Sequence, residues 1–65
     1  AYTVLGLKRS NSDAEVRAQY RRLVRENHPD ALMARGVPKE FVDMADRKLA
    51  AINAAYEEIE RERGL

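Results

Sequence analysis

The stretch SDAEVRAQYRRLVRENHPD, from Ser12 to Asp30, carries a helix start signal, a helical pattern and a stop signal in succession. Ser12 and Glu15 form a capping-box pattern, in which each side chain accepts a hydrogen bond from the other residue's backbone N–H. Pro29 has no backbone N–H to donate, and it disfavours the helical conformation of the residue before it. The stretch therefore predicts a long helix over about residues 13–28.

A second helical pattern fills the last third of the chain. Pro38 fits the first position of a helix, and Glu40 in its first turn suits the positive end of the helix dipole. Apolar residues then recur every three or four positions; they are Phe41, Met44, Ala45, Leu49, Ile52, Ala55, Tyr56 and Ile59. We expect the two aromatic members, Phe41 and Tyr56, to lie in the core. Two long amphipathic helices with a tight connection predict an antiparallel hairpin, with its second helix over about residues 38–62.

Two shorter segments complete the predicted architecture. Residues 2–7 form an apolar opening that fits a helix of one or two turns or an extended entry segment. Asp30 can cap a single helical turn that Gly36 closes in a left-handed conformation. No segment alternates apolar and polar residues as a strand would. The predicted fold class is all-α: a helical hairpin with a short N-terminal helix and a one-turn helix after the turn at Pro29.

The composition limits what so small a protein can do. The chain has 65 residues, 35% of them charged, with a net charge of +1 and no cysteine. Disulfides and thiolate zinc sites are therefore excluded, and a core of this size leaves little room for a substrate cavity of about 300 Å³. No apolar run is long enough to span a membrane. Because the chain begins at Ala1 without a methionine, we expect one domain, residues 1–65, taken from a longer protein.

The first long helix has a basic face. Helical spacing places four arginines opposite Val16; they are Arg17, Arg21, Arg22 and Arg25. Arg22 can pair with Glu26, but Arg21 has no acid four residues away, so pairing within the helix does not explain the set. The last helix carries acids instead, among them Glu57, Glu58, Glu60 and Glu62. The basic face is either a solvated surface or one that steers an acidic partner.

The single histidine lies at the end of this basic helix. A metal site would need further ligands at matched spacing, and a nucleophile with an adjacent base is equally absent from the sequence. We therefore expect no catalytic residue, no cofactor and no metal. His28, Pro29 and Asp30 can be explained separately as a helix end, a breaker and a new start. Alternatively, because Pro29 fixes its φ angle, the turn can display His28 and Asp30 with little freedom left to lose on binding.

In this order and spacing, the motifs resemble the J-domain of the DnaJ co-chaperone family. The matching residues are Ala1-Tyr2, Val4-Leu5-Gly6-Leu7, Tyr20-Arg21-Arg22-Leu23, His28-Pro29-Asp30, Ala55-Tyr56 and Ile59. The segment from Leu32 to Pro38, which leads into a longer last helix, is similar to the DjlA-like branch of the family. Asn27 and Ala31 depart from many relatives, which have an aromatic and a basic residue at these positions.

The resemblance implies a co-chaperone that docks on a DnaK-type heat-shock chaperone and stimulates its ATP hydrolysis during protein folding. It implies that the domain itself is not an enzyme. The partner-binding residues that we expect are His28, Pro29, Asp30, Tyr20, Arg21, Arg22, Arg17 and Arg25. We expect a cytoplasmic monomer without small-molecule, nucleic-acid or membrane contacts of its own. The DjlA-like similarity implies a membrane-anchored parent protein that faces the cytoplasm. Two alternatives are a basic helical module that binds nucleic acid and a J-like scaffold that activates no chaperone.

Overall fold

The computed structural model describes all 65 residues and contains four helices and no strand. They are α1 (Tyr2–Leu5), α2 (Asp13–Asn27), α3 (Pro29–Ala34) and α4 (Lys39–Arg63). Asp13 bonds to Arg63 while Tyr20 bonds to Asn53, so α2 and α4 run antiparallel. The predicted all-α class and the order of its elements are confirmed.

The capping box at the start of α2 is confirmed. The Ser12 hydroxyl accepts from the Glu15 N–H at 3.2 Å, and the Glu15 carboxylate accepts from the Ser12 N–H at 2.7 Å. The backbone hydrogen bond from Ser12 holds the pKa of the Glu15 carboxyl below its ordinary value. The pKa of Glu15 is therefore lower in the folded protein than in the unfolded chain. The cap contributes its full stability at a pH above the pKa of Glu15 in the unfolded chain, and this stability is lost as the pH falls through the pKa in the folded protein.

Five apolar residues from three helices form the core. α1 contributes Leu5, α2 contributes Val16, and α4 contributes Ile52, Ala55 and Ile59, each at most 5% exposed. Partly buried side chains surround this cluster: Tyr2, Leu7, Tyr20, Leu23 and Tyr56. The apolar stripe of α4 is therefore the surface on which both α1 and α2 pack.

A polar clamp joins the two ends of the chain. The Arg63 guanidinium donates to the Tyr2 hydroxyl at 2.9 Å, to the Asp13 carboxylate at 2.8 Å and to the Arg9 carbonyl at 3.1 Å. Two hydrogen bonds raise the pKa of Arg63; the bond to Tyr2 has the larger effect and the bond to Asp13 the smaller. Arg9 in turn pairs with Glu62 and lies over the Tyr2 ring. The clamp holds α1, the start of α2 and the end of α4 together.

The prediction that Phe41 lies in the core is wrong. Its side chain is 57% exposed and that of Met44 is 59% exposed, whereas Val42, outside the predicted set, is buried. Phe41 is exposed because of the helix that packs against this end of α4. This end of α4 packs against the short α3, which also buries Leu32, and a helix of six residues covers only a narrow strip of α4. Tyr56 does lie partly buried beside the core, as predicted.

Both predicted helix starts around the connection are displaced by one or two residues. Pro38 is the N-cap of α4 and not its first helical residue, because its ψ of 146° is extended. Asp30 does not cap α3. The cap is His28, and Pro29 takes the first helical position, where its missing N–H costs nothing. Gly36 adopts the predicted left-handed conformation, with φ of +77°.

We expect the exposure difference on α4 to decide the cost of truncation. Ile59→Ala removes a fully buried side chain and lowers the free energy of unfolding by about 2–5 kcal/mol. Phe41→Ala removes a larger side chain that is mostly in solvent, and costs less than about 1 kcal/mol. Urea unfolding followed by far-UV circular dichroism measures both, with Ile59→Val as a milder variant costing about 1 kcal/mol. Equal costs for Phe41→Ala and Ile59→Ala would contradict this assignment of the core.

Candidate functional site

The junction between α2 and α3 is a corner formed by His28, Pro29 and Asp30. His28 is extended, with φ of −68° and ψ of 126°, and this breaks the helical path between the two helices. Its carbonyl accepts from the Leu32 N–H at 3.1 Å, and its ring Nδ1 accepts from the Asp30 N–H at 3.3 Å. The corner is thus held by backbone geometry, by the proline ring and by the histidine cap.

The polar groups of this corner differ in their use. The His28 Nδ1 atom is an acceptor, so in the neutral ring the proton lies on Nε2, which becomes an outward donor on an exposed side chain. The Asp30 carboxylate is exposed and forms no hydrogen bond or ion pair within the chain. The corner therefore presents one donor and one charged acceptor to solvent.

The four predicted arginines of α2 all lie exposed. Arg22 pairs with Glu26 at 2.8 Å along the helix, whereas Arg17, Arg21 and Arg25 form no ion pair. The ion pairs that involve α4 lie at the opposite end of the hairpin, in the clamp around Arg63. The guanidinium groups of Arg17, Arg21 and Arg25 therefore remain available to an external acceptor along the length of α2.

Tyr20 lies between the core and this basic face. Its ring stacks on Tyr56 with centroids 3.9 Å apart and planes 6° apart, and its hydroxyl donates to Asn53 Oδ1 at 2.6 Å. The ring also lines an open groove on α2 together with Ala18, Arg21, Val24 and Arg25. Tyr20 is therefore both a packing residue and part of the basic surface.

The remaining chemistry of the surface is limited. No group of three or more histidine, cysteine, aspartate or glutamate side chains is placed to hold a metal ion. No helix combines the length and the apolar character that crossing a membrane requires. The candidate site therefore consists of the corner and the exposed arginines of α2.

The family model of the DnaJ domain matches residues 1–63. The chain belongs to the DnaJ domain family. Curated relatives that carry the name co-chaperone protein DjlA include those of Shewanella oneidensis, Coxiella burnetii and Vibrio cholerae, which are 45%, 46% and 48% identical over 65 residues. The alignments cover all of this chain and 25%, 24% and 23% of those proteins, so the J-domain spans about a quarter of their length. No solved structure matches the chain. The predicted J-domain and its DjlA-like character are confirmed.

One residue beside the candidate site of this J-domain was missed from the sequence. Asn53 anchors the Tyr20 hydroxyl, and its signal was a polar side chain on the apolar stripe of α4, four residues after Leu49 and three before Tyr56. Asn27 is half-buried and donates to the Leu23 carbonyl at 2.9 Å. Its side-chain amide therefore binds the backbone of the last turn of α2.

We expect the cap at the corner of the J-domain to be measurable as stability. His28→Ala removes the acceptor for the Asp30 N–H and lowers the free energy of unfolding by about 1 kcal/mol. His28→Asn supplies another good N-cap acceptor and recovers most of that loss. Urea unfolding of both variants at neutral pH tests this, and Asp30 amide exchange should quicken only in His28→Ala. If the two variants unfold alike, His28 does not cap α3.

Proposed function

We propose that this J-domain docks on a DnaK-type heat-shock chaperone through its corner and basic face, and that docking stimulates ATP hydrolysis by the chaperone. Membership of the DnaJ domain family and the co-chaperone name of the DjlA relatives support this proposal. The observation that carries it is the unpaired carboxylate of Asp30 on a corner held by Pro29 and the His28 cap, at the end of a helix that carries unpaired arginines.

The corner is suited to bind without reorganising. Pro29 fixes φ, and the His28 cap holds the Asp30 backbone, so little conformational entropy remains to be lost on docking. The Asp30 carboxylate can accept a charge-assisted hydrogen bond from an arginine of the chaperone, worth about 1.5–3 kcal/mol. The Nε2–H of His28 offers a second, directional contact.

The basic face has a different part in docking. Arg17, Arg21, Arg22 and Arg25 are exposed, so their interactions with an acidic surface are screened by salt and individually modest. Their combined field raises the rate of encounter and selects the orientation in which the corner meets its partner. The proposed binding set is therefore these arginines with Tyr20, His28, Pro29 and Asp30.

The domain acts on ATP through the chaperone. In the proposed mechanism it binds more tightly to the chaperone conformation that is competent for hydrolysis, and this differential affinity shifts the population toward that conformation. All bond-breaking groups then belong to the chaperone, and the J-domain is an activator and not an enzyme. In the parent protein, such an activator would couple hydrolysis to client binding.

The proposal also covers the oligomeric state of the domain and its place in the parent protein. We infer that it works as a monomer without a small-molecule substrate, and that a membrane-anchored parent protein presents it to the cytoplasm. The DjlA relatives, which are about four times longer, carry the co-chaperone name as whole proteins. We infer that client proteins are selected by parts of the parent protein outside this domain.

Single-turnover ATP hydrolysis by a DnaK-type chaperone, with and without the domain, tests the proposal. Wild type should accelerate hydrolysis, and Asp30→Asn at a subsaturating concentration should reduce that acceleration about tenfold or more, since one charge-assisted bond is lost. Glu58→Gln is the matched control, because it also removes one exposed, unpaired negative charge but lies near the other end of α4. It should behave as wild type.

The same variants separate the alternatives. Equal acceleration by Asp30→Asn and wild type would contradict the proposed role of the corner. Binding of wild type without any acceleration would indicate a J-like scaffold. If the arginines served a nucleic acid, losing the Asp30 charge would not weaken DNA binding, and affinity would fall steeply with salt.

A further inference from the structure

We infer that Asn53 of α4 is a positioning residue of the docking surface, which holds the Tyr20 ring as a fixed wall of the arginine-lined groove on α2. This inference rests on the proposed docking function, and it assigns to a residue of the opposite helix the positioning of one member of the binding set. Asn53 acts through Tyr20, because its side-chain oxygen accepts a hydrogen bond from the Tyr20 hydroxyl at 2.6 Å.

Two contacts from α4 define where the Tyr20 ring lies. Tyr56 covers one face of the ring in a stack with planes 6° apart. Stacking alone fixes the plane of a ring, but it resists sliding or rotation within that plane only weakly. The hydrogen bond to Asn53 removes this remaining freedom, because it fixes the far end of the ring as well. Tyr20 is thus held from two directions before any partner arrives.

The held ring determines the shape of the basic groove. Tyr20 is adjacent to Arg21 in sequence, and Val24 and Arg25 follow one turn later along the same groove. The ring forms an apolar wall beside two guanidinium groups that have no internal partner. An acidic side chain that enters the groove would contact the arginines while its carbon chain packs on Tyr20. A displaced ring would change the separation between apolar wall and charges.

The chain contains a matched bond that lacks this connection to the groove. Gln19 also lies on α2, and its partly buried side chain donates to the Leu5 carbonyl of α1 at 2.9 Å. The Tyr20–Asn53 bond is likewise partly buried and likewise joins α2 to another helix. A purely structural role predicts the same consequences when either bond is removed. A positioning role predicts that only the bond at Tyr20 affects docking.

The test measures the domain concentration that gives half-maximal stimulation of chaperone ATP hydrolysis. Asn53→Ala should raise this concentration by up to about fivefold, with little change in the maximal rate, because docking must then order a freed Tyr20 ring at a cost of at most one net hydrogen bond. Tyr20→Phe should cause a similar rise, and the double variant should cost no more than either single variant, because both remove the same bond. Gln19→Ala should lose comparable thermal stability and keep the wild-type concentration.

The outcomes distinguish this inference from the function on which it rests. If wild type stimulates no DnaK-type chaperone, the proposed function fails, and the positioning role falls with it. If wild type stimulates and Asn53→Ala keeps the wild-type half-maximal concentration, the docking function stands and the positioning role is overturned. It is also overturned if Gln19→Ala raises that concentration as much as Asn53→Ala does.

Discussion

The burial of Val16 of α2 among Ile52 and Ile59 of α4 is the interaction on which the rest of the structure depends. All three side chains are fully buried, in a domain without disulfides. Each such burial is worth about 1.5–3 kcal/mol, while the net stability of so small a domain is only about 3–5 kcal/mol. This packing fixes the rotation of α2, and rotation decides which residues face water. The arginines are exposed because Val16 is buried.

Charge is divided along the hairpin in a way that composition alone does not show. At the end that holds the chain termini, Arg9 and Arg63 pair with Glu62 and Asp13. Asp30 at the corner and Arg17, Arg21 and Arg25 along α2 have no ion-pair partner within the chain. A nearly neutral protein therefore uses one set of charges to close its fold and leaves another set free. Within the free set, the Asp30 carboxylate lies at the corner whose backbone is held by a proline and a histidine cap.

The features that were predictable from sequence depend on local chemistry. The capping box at Ser12, the helix stop before Pro29 and the left-handed Gly36 each follow from a few neighbouring residues. The N-cap of α3 also follows from neighbouring residues, although Asp30 was predicted in place of His28. Proline favours the first helical position, so Pro29 begins the helix and His28 before it is the cap. Exposure of Phe41 and the bond from Tyr20 to Asn53 were not predictable in this way. Both depend on which helix packs against α4 at that point. Helical periodicity identifies the apolar face of a helix, but it does not identify the helix that covers this face.

The corner and the basic face of α2 together form the proposed docking surface. The most direct measurement is a titration of the ¹⁵N-labelled domain with an ATP-bound DnaK-type chaperone, followed by NMR. The backbone amide signals of Arg21, Arg25 and Asp30 should shift or broaden first, while those of Phe41 and Met44 stay unchanged. Perturbation centred on the exposed apolar residues Phe41 and Met44, with Arg21 and Asp30 unaffected, would contradict the claim.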